Sequence, residues 1–277
     1  MIYFVQGHLG SGKSLASVWQ LKNYAEKGRR IATNFDIDMS HLLSKWNKVS
    51  PVVIPTIPTY DDLKCLGKGG DSEREAGLLV LDECALWLNS RKWNDPGRDL
   101  LIQWLVHSRK FRWDVIILVQ SITVLDKQVR ELLQEYVVTC SAMARIPIPL
   151  IGRWLGLMMP KFHIGSVTYG PNNFACPRWV FRGNEKYFNA YDTEAEFDLE
   201  AIPDGTVSQL SHWHQVGRYE VKKPILKIAL IALGKLVAIL IGIIIRRNPA
   251  QLLVDLGVCR LKQSVPALPV QIASRQT

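Results

Sequence analysis

Paired cysteines, internal repeats, low-complexity runs and a basic excess in the body of the chain are all missing from this sequence. Its five cysteines, Cys65, Cys84, Cys140, Cys176 and Cys259, are odd in number and form no CxxC pair. That excludes a disulfide framework and a cysteine-based zinc site, and it fits a reducing compartment. The opening stretch MIYFVQGH has neither a basic n-region nor an apolar h-region of sufficient length, so no cleaved signal peptide is expected and the chain starts directly on a strand. His212 to His214, a His-Trp-His run, has no carboxylate or cysteine at ligand spacing and reads as a surface turn. The net charge of +9 suggests phosphate-backbone binding at first sight. Nine Lys/Arg against the single acid Asp255 lie beyond Val221, however, and residues 1–221 carry 25 basic and 24 acidic side chains. Bulk charge therefore gives no support to uniform nucleic-acid binding by the larger part of the chain.

What is present divides sharply. With 277 residues the chain can bury a full α/β core and still carry an appendage. The segment PILKIALIALGKLVAILIGIII, 224–245, would span roughly 33 Å as a helix, enough for a hydrocarbon core of about 30 Å. Between Ile228 and Ile245 stand 12 Ile, Leu or Val residues. At about −0.5 kcal/mol each they outweigh roughly +3 kcal/mol for a central Lys235. A transmembrane helix is expected, followed by a short tail, 246–277. Flanking charge leaves the orientation tied; the pattern G-x-x-x-x-G-K-S at Gly7 to Ser14 marks a nucleotide clamp, and ATP is available in the cytoplasm, which puts 1–221 on that side. Within the span, Gly234, Ala238 and Gly242 form a small-xxx-small stripe beside Lys235, a pattern that allows close helix packing.

Residues 1–221 alternate strand and helix. IYFVQ is a short strand, Lys13 to Lys27 a helix ended by Gly28, and Arg29 to Phe35 the next strand. GLLVLDE and VIILVQ (Val115 to Gln120) are continuous apolar runs suited to a parallel sheet buried on both faces. Asp99 to Lys110 fits a helix with an apolar stripe at Leu101, Trp104 and Leu105, after the turn signal NDPG. The expected fold class is α/β, a parallel sheet covered by helices, with a nucleotide-binding core at 1–140. VVTCSAM, HIGSVTY, RWVFRG and KYFNAYDT suggest short strands, a β-rich addition at 141–221. The tryptophans, Trp87, Trp93, Trp104 and Trp113 among them, suit core and subunit contacts better than base stacking.

Gly7-His8-Leu9-Gly10-Ser11-Gly12-Lys13-Ser14 matches G-x-x-x-x-G-K-S, and it follows a strand and opens a helix. Glycines let backbone N–H groups turn inward around phosphate oxygens, the helix N-terminus adds positive potential, Lys13 suits the β- and γ-phosphates, and Ser14 suits Mg²⁺. Asp82 ends an apolar strand, where a carboxylate completes the Mg²⁺ shell, and Glu83 beside it can polarise the attacking water. Gln120 at the end of the next strand is a candidate for the γ-phosphate or that water. Arg109, Arg112 and Arg130 are candidates for a finger on a neighbouring subunit's nucleotide. Together these predict a Mg²⁺-dependent ATP hydrolase with Lys13, Glu83 and Gln120 as catalytic residues.

YFVQGHLGSGKS, TNFD, LLVLDE, HSRKFRWDVIILVQS, LDKQVRELL and YFNAYDT, followed by one apolar segment, resemble the zonula occludens toxin family, the assembly ATPases of filamentous bacteriophages. The resemblance implies a RecA-like cytoplasmic ATPase with an additional catalytic Glu. It also implies a single span of the host inner membrane and a role in extruding single-stranded phage DNA as it acquires its coat. A homo-oligomeric ring, coat proteins and a secretion channel are the implied partners, with single-stranded DNA an indirect one. Many members carry His-Arg-His where this chain has Ser108-Arg109-Lys110, so only Arg109 of that block carries over. The short tail does not support the toxin activity of the family's namesake. Two other readings use the same motifs: a P-loop DNA translocase of a conjugation or packaging system, and a toxin-like membrane protein with a vestigial ATP site. Pore-loop cations would mark the first; intact Lys13, Ser14, Asp82 and Glu83 speak against the second.

Overall fold

The computed structural model describes residues 1–88, 96–145, 162–170, 172–191 and 205–220, together with 233, 236 and 237. Residues 1–219 form one compact unit and 220–277 another. The first is built on a ten-stranded sheet. In chain order the strands are β1 (Ile2–Gln6), β2 (Ile31–Thr33), β3 (Val52–Val53), β4 (Gly77–Leu81), β5 (Trp113–Val119), β6 (Tyr136–Ala142), β7 (His163–Tyr169), β8 (Phe174–Ala175), β9 (Trp179–Phe181) and β10 (Val207–Ser208). Across the sheet they run β10-β3-β2-β4-β5-β1-β6-β7-β8, with β9 also on β7. From β3 to β6 every pairing is parallel; β10, β7, β8 and β9 join antiparallel.

Continuous apolar strands bury both faces. Alternate residues of one strand feed different cores, as the pleat requires. Val5, Leu78, Val80, Ile116 and Leu118 pack beneath helix α1 (Lys13–Glu26) through Leu15, Val18 and Leu21. Phe4, Leu79, Leu81, Val115, Ile117 and Val119 face α2 (Tyr60–Cys65), α3 (Pro96–Val106) and α4 (Lys127–Leu133) through Leu63, Leu101, Leu105 and Val129. The result is a three-layer α/β/α sandwich. Gly28 ends α1 at φ 74°, and the N–H groups of Gly28 and Arg29 close back on Ala25 and Tyr24.

Three local expectations shift. α3 runs from Pro96 to Val106 rather than 99–110, because the turn 107–112 closes at Arg112 with φ 60° before β5 starts. VVTCSAM lies in β6, which pairs parallel with β1 as a sixth core strand and antiparallel with β7 on its other side. The described part of KYFNAYDT, 186–191, holds no strand: Asn184 caps the short helix Glu185–Phe188 by accepting from the Tyr187 N–H at 3.3 Å. β7 and β9 continue the sheet past β6 and wrap α1, with Phe181 stacked on Trp19 at 5.9 Å. Of the expected span 224–245 all but Leu233, Leu236 and Val237 lies outside the described residues, as does the tail 246–277. Among the described residues no helix is long and apolar enough to cross a membrane.

Candidate functional site

Parallel register puts the strand ends that matter on one edge. Phe4, Ile117 and Leu81 stand in one row across β1, β5 and β4. The residues after these strands, Gly7, Gln120 and Asp82, therefore emerge side by side, with Asn34 after β2 beyond them. Between Gly7 and Ser14 the chain turns tightly. The Ser11 N–H donates to the His8 carbonyl at 3.1 Å and the Ala16 N–H to Gly12 at 2.9 Å, the first bond of α1. Lys13 arches back, its ammonium donating to the carbonyls of Gly7 at 2.7 Å and His8 at 3.3 Å. Two glycines are required by contact. A Cβ on Gly7 would meet Ser11 Oγ at 2.5 Å and the Cys140 carbonyl at 2.9 Å, and one on Gly12, at φ 92°, would fall 2.5 Å from the ring of His163. Leu9 projects into solvent, and Ser14 takes part through its carbonyl, which accepts from Ser17 Oγ at 2.7 Å.

The acids are held from behind. Asn34, 1% exposed, brackets the Asp82 peptide: its Oδ1 accepts the Asp82 N–H at 2.7 Å, and its Nδ2 donates to the Asp82 carbonyl at 3.0 Å and to Thr56 at 2.9 Å. Asp82 Oδ1 accepts the Glu83 N–H at 2.7 Å. Glu83 sits at φ 49°, a left-handed conformation uncommon outside glycine and concentrated at functional sites. Desolvation raises the Asp82 carboxyl to about 6; the Glu83 charge adds to this, while the Glu83 N–H and the Lys13 ammonium oppose it. Burial pushes the Tyr191 phenol up to about 12, and the Asp82 charge adds to it, placing this ring from the C-terminal part of the unit within electrostatic reach of the acid.

The loop and acids fit a magnesium nucleotide. Ser11 Oγ is a buried hydroxyl with no partner in the protein, the glycines leave a cradle that any Cβ would fill, and Asp82 and Ser14 supply the hard oxygen donors such a cation takes. The other candidates fall apart spatially. Gln120 meets the loop through its carbonyl, which accepts the Gly7 N–H at 3.4 Å, while its side chain is exposed. The amide that knits this edge is Gln6, accepting from the Ile122 N–H at 3.3 Å and donating to Thr139 Oγ1 at 3.2 Å. Arg109, 3.7 Å from Glu73, and Arg112, bound to the carbonyls of Gly70 and Asp71, precede β5 and so stand at the opposite edge of the sheet. Arg130 lies on α4. In the His-Trp-His turn, His212 Nδ1 is 3.2 Å from the Leu43 carbonyl and His214 Nδ1 is 2.7 Å from Ser211 Oγ; no group of metal-ligating side chains occurs among the described residues. Trp87, Trp104 and Trp113 are core residues, and Trp93 lies outside the described residues. Asn34, His163 and Tyr191 were not singled out in the sequence. Asn34 and Tyr191 fall inside the blocks TNFD and YFNAYDT, but neither block says which atom it touches.

Residues 1–155 match the family model described as Zonular occludens toxin (Zot). The Gene 1 protein of Enterobacteria phage fd is 41% identical over 231 residues, covering 79% of this chain and 66% of that protein. The Gene 1 protein of Escherichia phage If1 is 39% identical over 235 residues, covering 80% and 66%. The chain thus spans 66% of the length of these relatives. Among solved structures, the N-terminal domain of zonular occludens toxin from Neisseria meningitidis aligns with a TM-score of 0.41 and 16% identity over 69% of this chain and 98% of that one. With more than half of its residues matched by the family model and a phosphate-loop edge intact, the chain belongs to the zonular occludens toxin (Zot) family.

Proposed function

We propose that this chain is a membrane-anchored ATPase that drives the assembly and extrusion of filamentous phage virions through the host inner membrane. The observation that carries the hydrolase reading is the shared edge: the phosphate loop after β1 and Asp82 and Glu83 after β4 emerge from parallel strands on either side of β5, fixed in register by Phe4, Ile117 and Leu81. Membership of the family and the likeness to Gene 1 proteins of phages support the assembly role. The loop N–H groups and the N-terminus of α1 hold the phosphates, Lys13 leaves its carbonyl partners to neutralise the β- and γ-oxygens, and Ser14 and Asp82 hold Mg²⁺. When bound, Mg²⁺ supplies charge neutralisation on the phosphate oxygens. Glu83, held beside Asp82 in a left-handed backbone conformation, orients and polarises the attacking water. The reading extends to an inner-membrane span at 224–245 with the N-terminal unit cytoplasmic, a homo-oligomeric ring, and coat proteins and a secretion channel as partners. Glu83→Gln should keep Mg-ATP affinity while losing at least about a hundredfold in turnover, and it should fail to support virion release. Hydrolysis at the wild-type rate by Glu83→Gln would sink the assignment.

A further inference from the structure

Away from the nucleotide edge, one surface gathers groups that this reaction does not use. Neither the loop 41–50 nor the turn 209–219 contains an acid, although residues 1–221 as a whole are nearly neutral. The two segments are locked together. The Trp213 N–H donates to the Asn47 carbonyl at 3.1 Å, and His212 Nδ1 lies 3.2 Å from the Leu43 carbonyl. Gly217 lies so close that a Cβ there would be 1.9 Å from the Lys45 carbonyl oxygen. Asn47 Nδ2 ties the loop to the end of α1 through the Ala25 carbonyl at 2.8 Å. Three cation–ring pairs lie here: Lys48 at 4.8 Å from the Trp213 ring joins the two segments, while Lys45 at 5.6 Å from Trp46 and Arg218 at 5.2 Å from Tyr219 are neighbours within each. Tyr219 is 72% exposed, and Leu210 and Val216 are exposed beside it. A groove of about 540 Å³ lined by Arg30, Trp46, Asn47, Lys48 and one acid, Glu26, itself paired with Lys22 at 2.6 Å, opens where β2 and β3 begin, the sheet edge opposite the phosphate loop.

We propose that this face lies on the anionic headgroup layer of the membrane, with Lys45, Lys48 and Arg218 on lipid phosphates and Trp213 and Tyr219 at the water–hydrocarbon boundary. The inference rests on segment 224–245 being a membrane span. Tyr219 stands five positions before Pro224, so a span there would leave Tyr219 within a tether of at most about 18 Å of the segment entering the bilayer. Amphipathic rings favour that boundary, and basic side chains next to a span bind acidic lipids. Single-stranded DNA is the other polyanion of suitable chemistry; the short tether from Tyr219 to segment 224–245 favours the lipid surface.

The test uses the full chain reconstituted in phosphatidylcholine vesicles with or without phosphatidylglycerol, carrying a photo-crosslinking p-benzoylphenylalanine in the exchange Tyr219→p-benzoylphenylalanine. Lipid adducts that depend on phosphatidylglycerol are expected, falling at least about tenfold in the triple variant Lys45→Glu, Lys48→Glu, Arg218→Glu. Retained nucleotide binding by that variant certifies its fold, and the lipid dependence of the unsubstituted cations is a second reading free of that concern. Alkaline extraction reports the span separately. A chain that resists alkali but gives no adducts overturns the surface and leaves the span. Adducts from a chain that alkali removes uphold the surface and overturn the span. Binding of oligo(dT) that the triple variant loses, without lipid adducts, reassigns the face to single-stranded DNA and overturns the proposal.

Discussion

Ionising Asp82 works against folding. Its carboxyl titrates at about 6 in the folded chain against 3.8 ordinarily, so the folded state holds the proton more tightly than the unfolded one. Stability therefore falls as pH rises from about 4 to about 6 and stays reduced above it. A shift of that size corresponds to about 3 kcal/mol as an upper value. Asp82→Asn should raise the melting temperature at pH 7, with the gain vanishing below pH 4, and should lose Mg²⁺-dependent nucleotide binding. A melting temperature unchanged at pH 7 would contradict the desolvated carboxylate. Asn34 acts one step back, through the Asp82 backbone. Asn34→Ala removes two hydrogen bonds to the Asp82 backbone and one to the Thr56 carbonyl, and should cost about 2–3 kcal/mol of stability. Where the variant still folds, kcat should drop far more than KM rises, because the phosphate loop does not touch Asn34; equal changes in both would argue for a merely structural role. At Gly12 the clash is with a ring, not backbone. Gly12→Ala should weaken nucleotide binding, and His163→Ala in the same chain should restore part of it, the remainder reflecting the φ of 92°. Absence of any rescue would remove His163 from that contact.

Between elements, a buried ion pair couples the helices on the face opposite α1. Arg98 at the start of α3, 6% exposed, donates to Asp126 Oδ2 at 2.7 Å, and Asp126 caps α4 by accepting the Gln128 N–H at 3.2 Å. The hydrogen bond from the Arg98 guanidinium holds the Asp126 carboxyl below its ordinary range, so this contribution is present at neutral pH and lost as pH falls through that lowered value. Asp126→Ala should cost about 3–5 kcal/mol, since it leaves Arg98 buried and unpaired. Asp126→Asn, which keeps the cap, should cost less, and denaturant unfolding of the two variants separates the pair from the cap. The apolar face of α1 and the continuous apolar runs of β4 and β5 are legible in the sequence, because a run buried on both faces or along one helical face admits one reading. KYFNAYDT was not, since its alternation fits a strand while Asn184 stops it locally. β6 was recognisable as a strand, but pairing with β1 is a long-range fact that its residues do not carry.

For the whole N-terminal unit, the last described segment closes onto an early loop, 43–48. Gly217 makes that closure sterically possible, so Gly217→Ala should release 211–219, seen as faster amide exchange at Trp213 and Val216, while nucleotide affinity stays unchanged because the closure lies away from the phosphate loop. Protection unchanged at those amides would show that the loop yields instead. The same closure gathers Lys45, Lys48 and Arg218 on one surface with Glu26 and Asp38 at its margin, a local excess of cations that a charge count along the chain averages away.

The phosphate loop, the adjacent acids and the α/β class can be read along the chain without any coordinates. These are local: a phosphate must be ringed by consecutive backbone N–H groups, and a strand buried on both faces must be continuously apolar. Only the tertiary structure decided which residues stand behind the site. Asn34 reaches Asp82 across 48 positions, and His163 comes to Gly12 on a strand added beyond β6, because strand order and register, not sequence distance, set who meets at the edge of a parallel sheet.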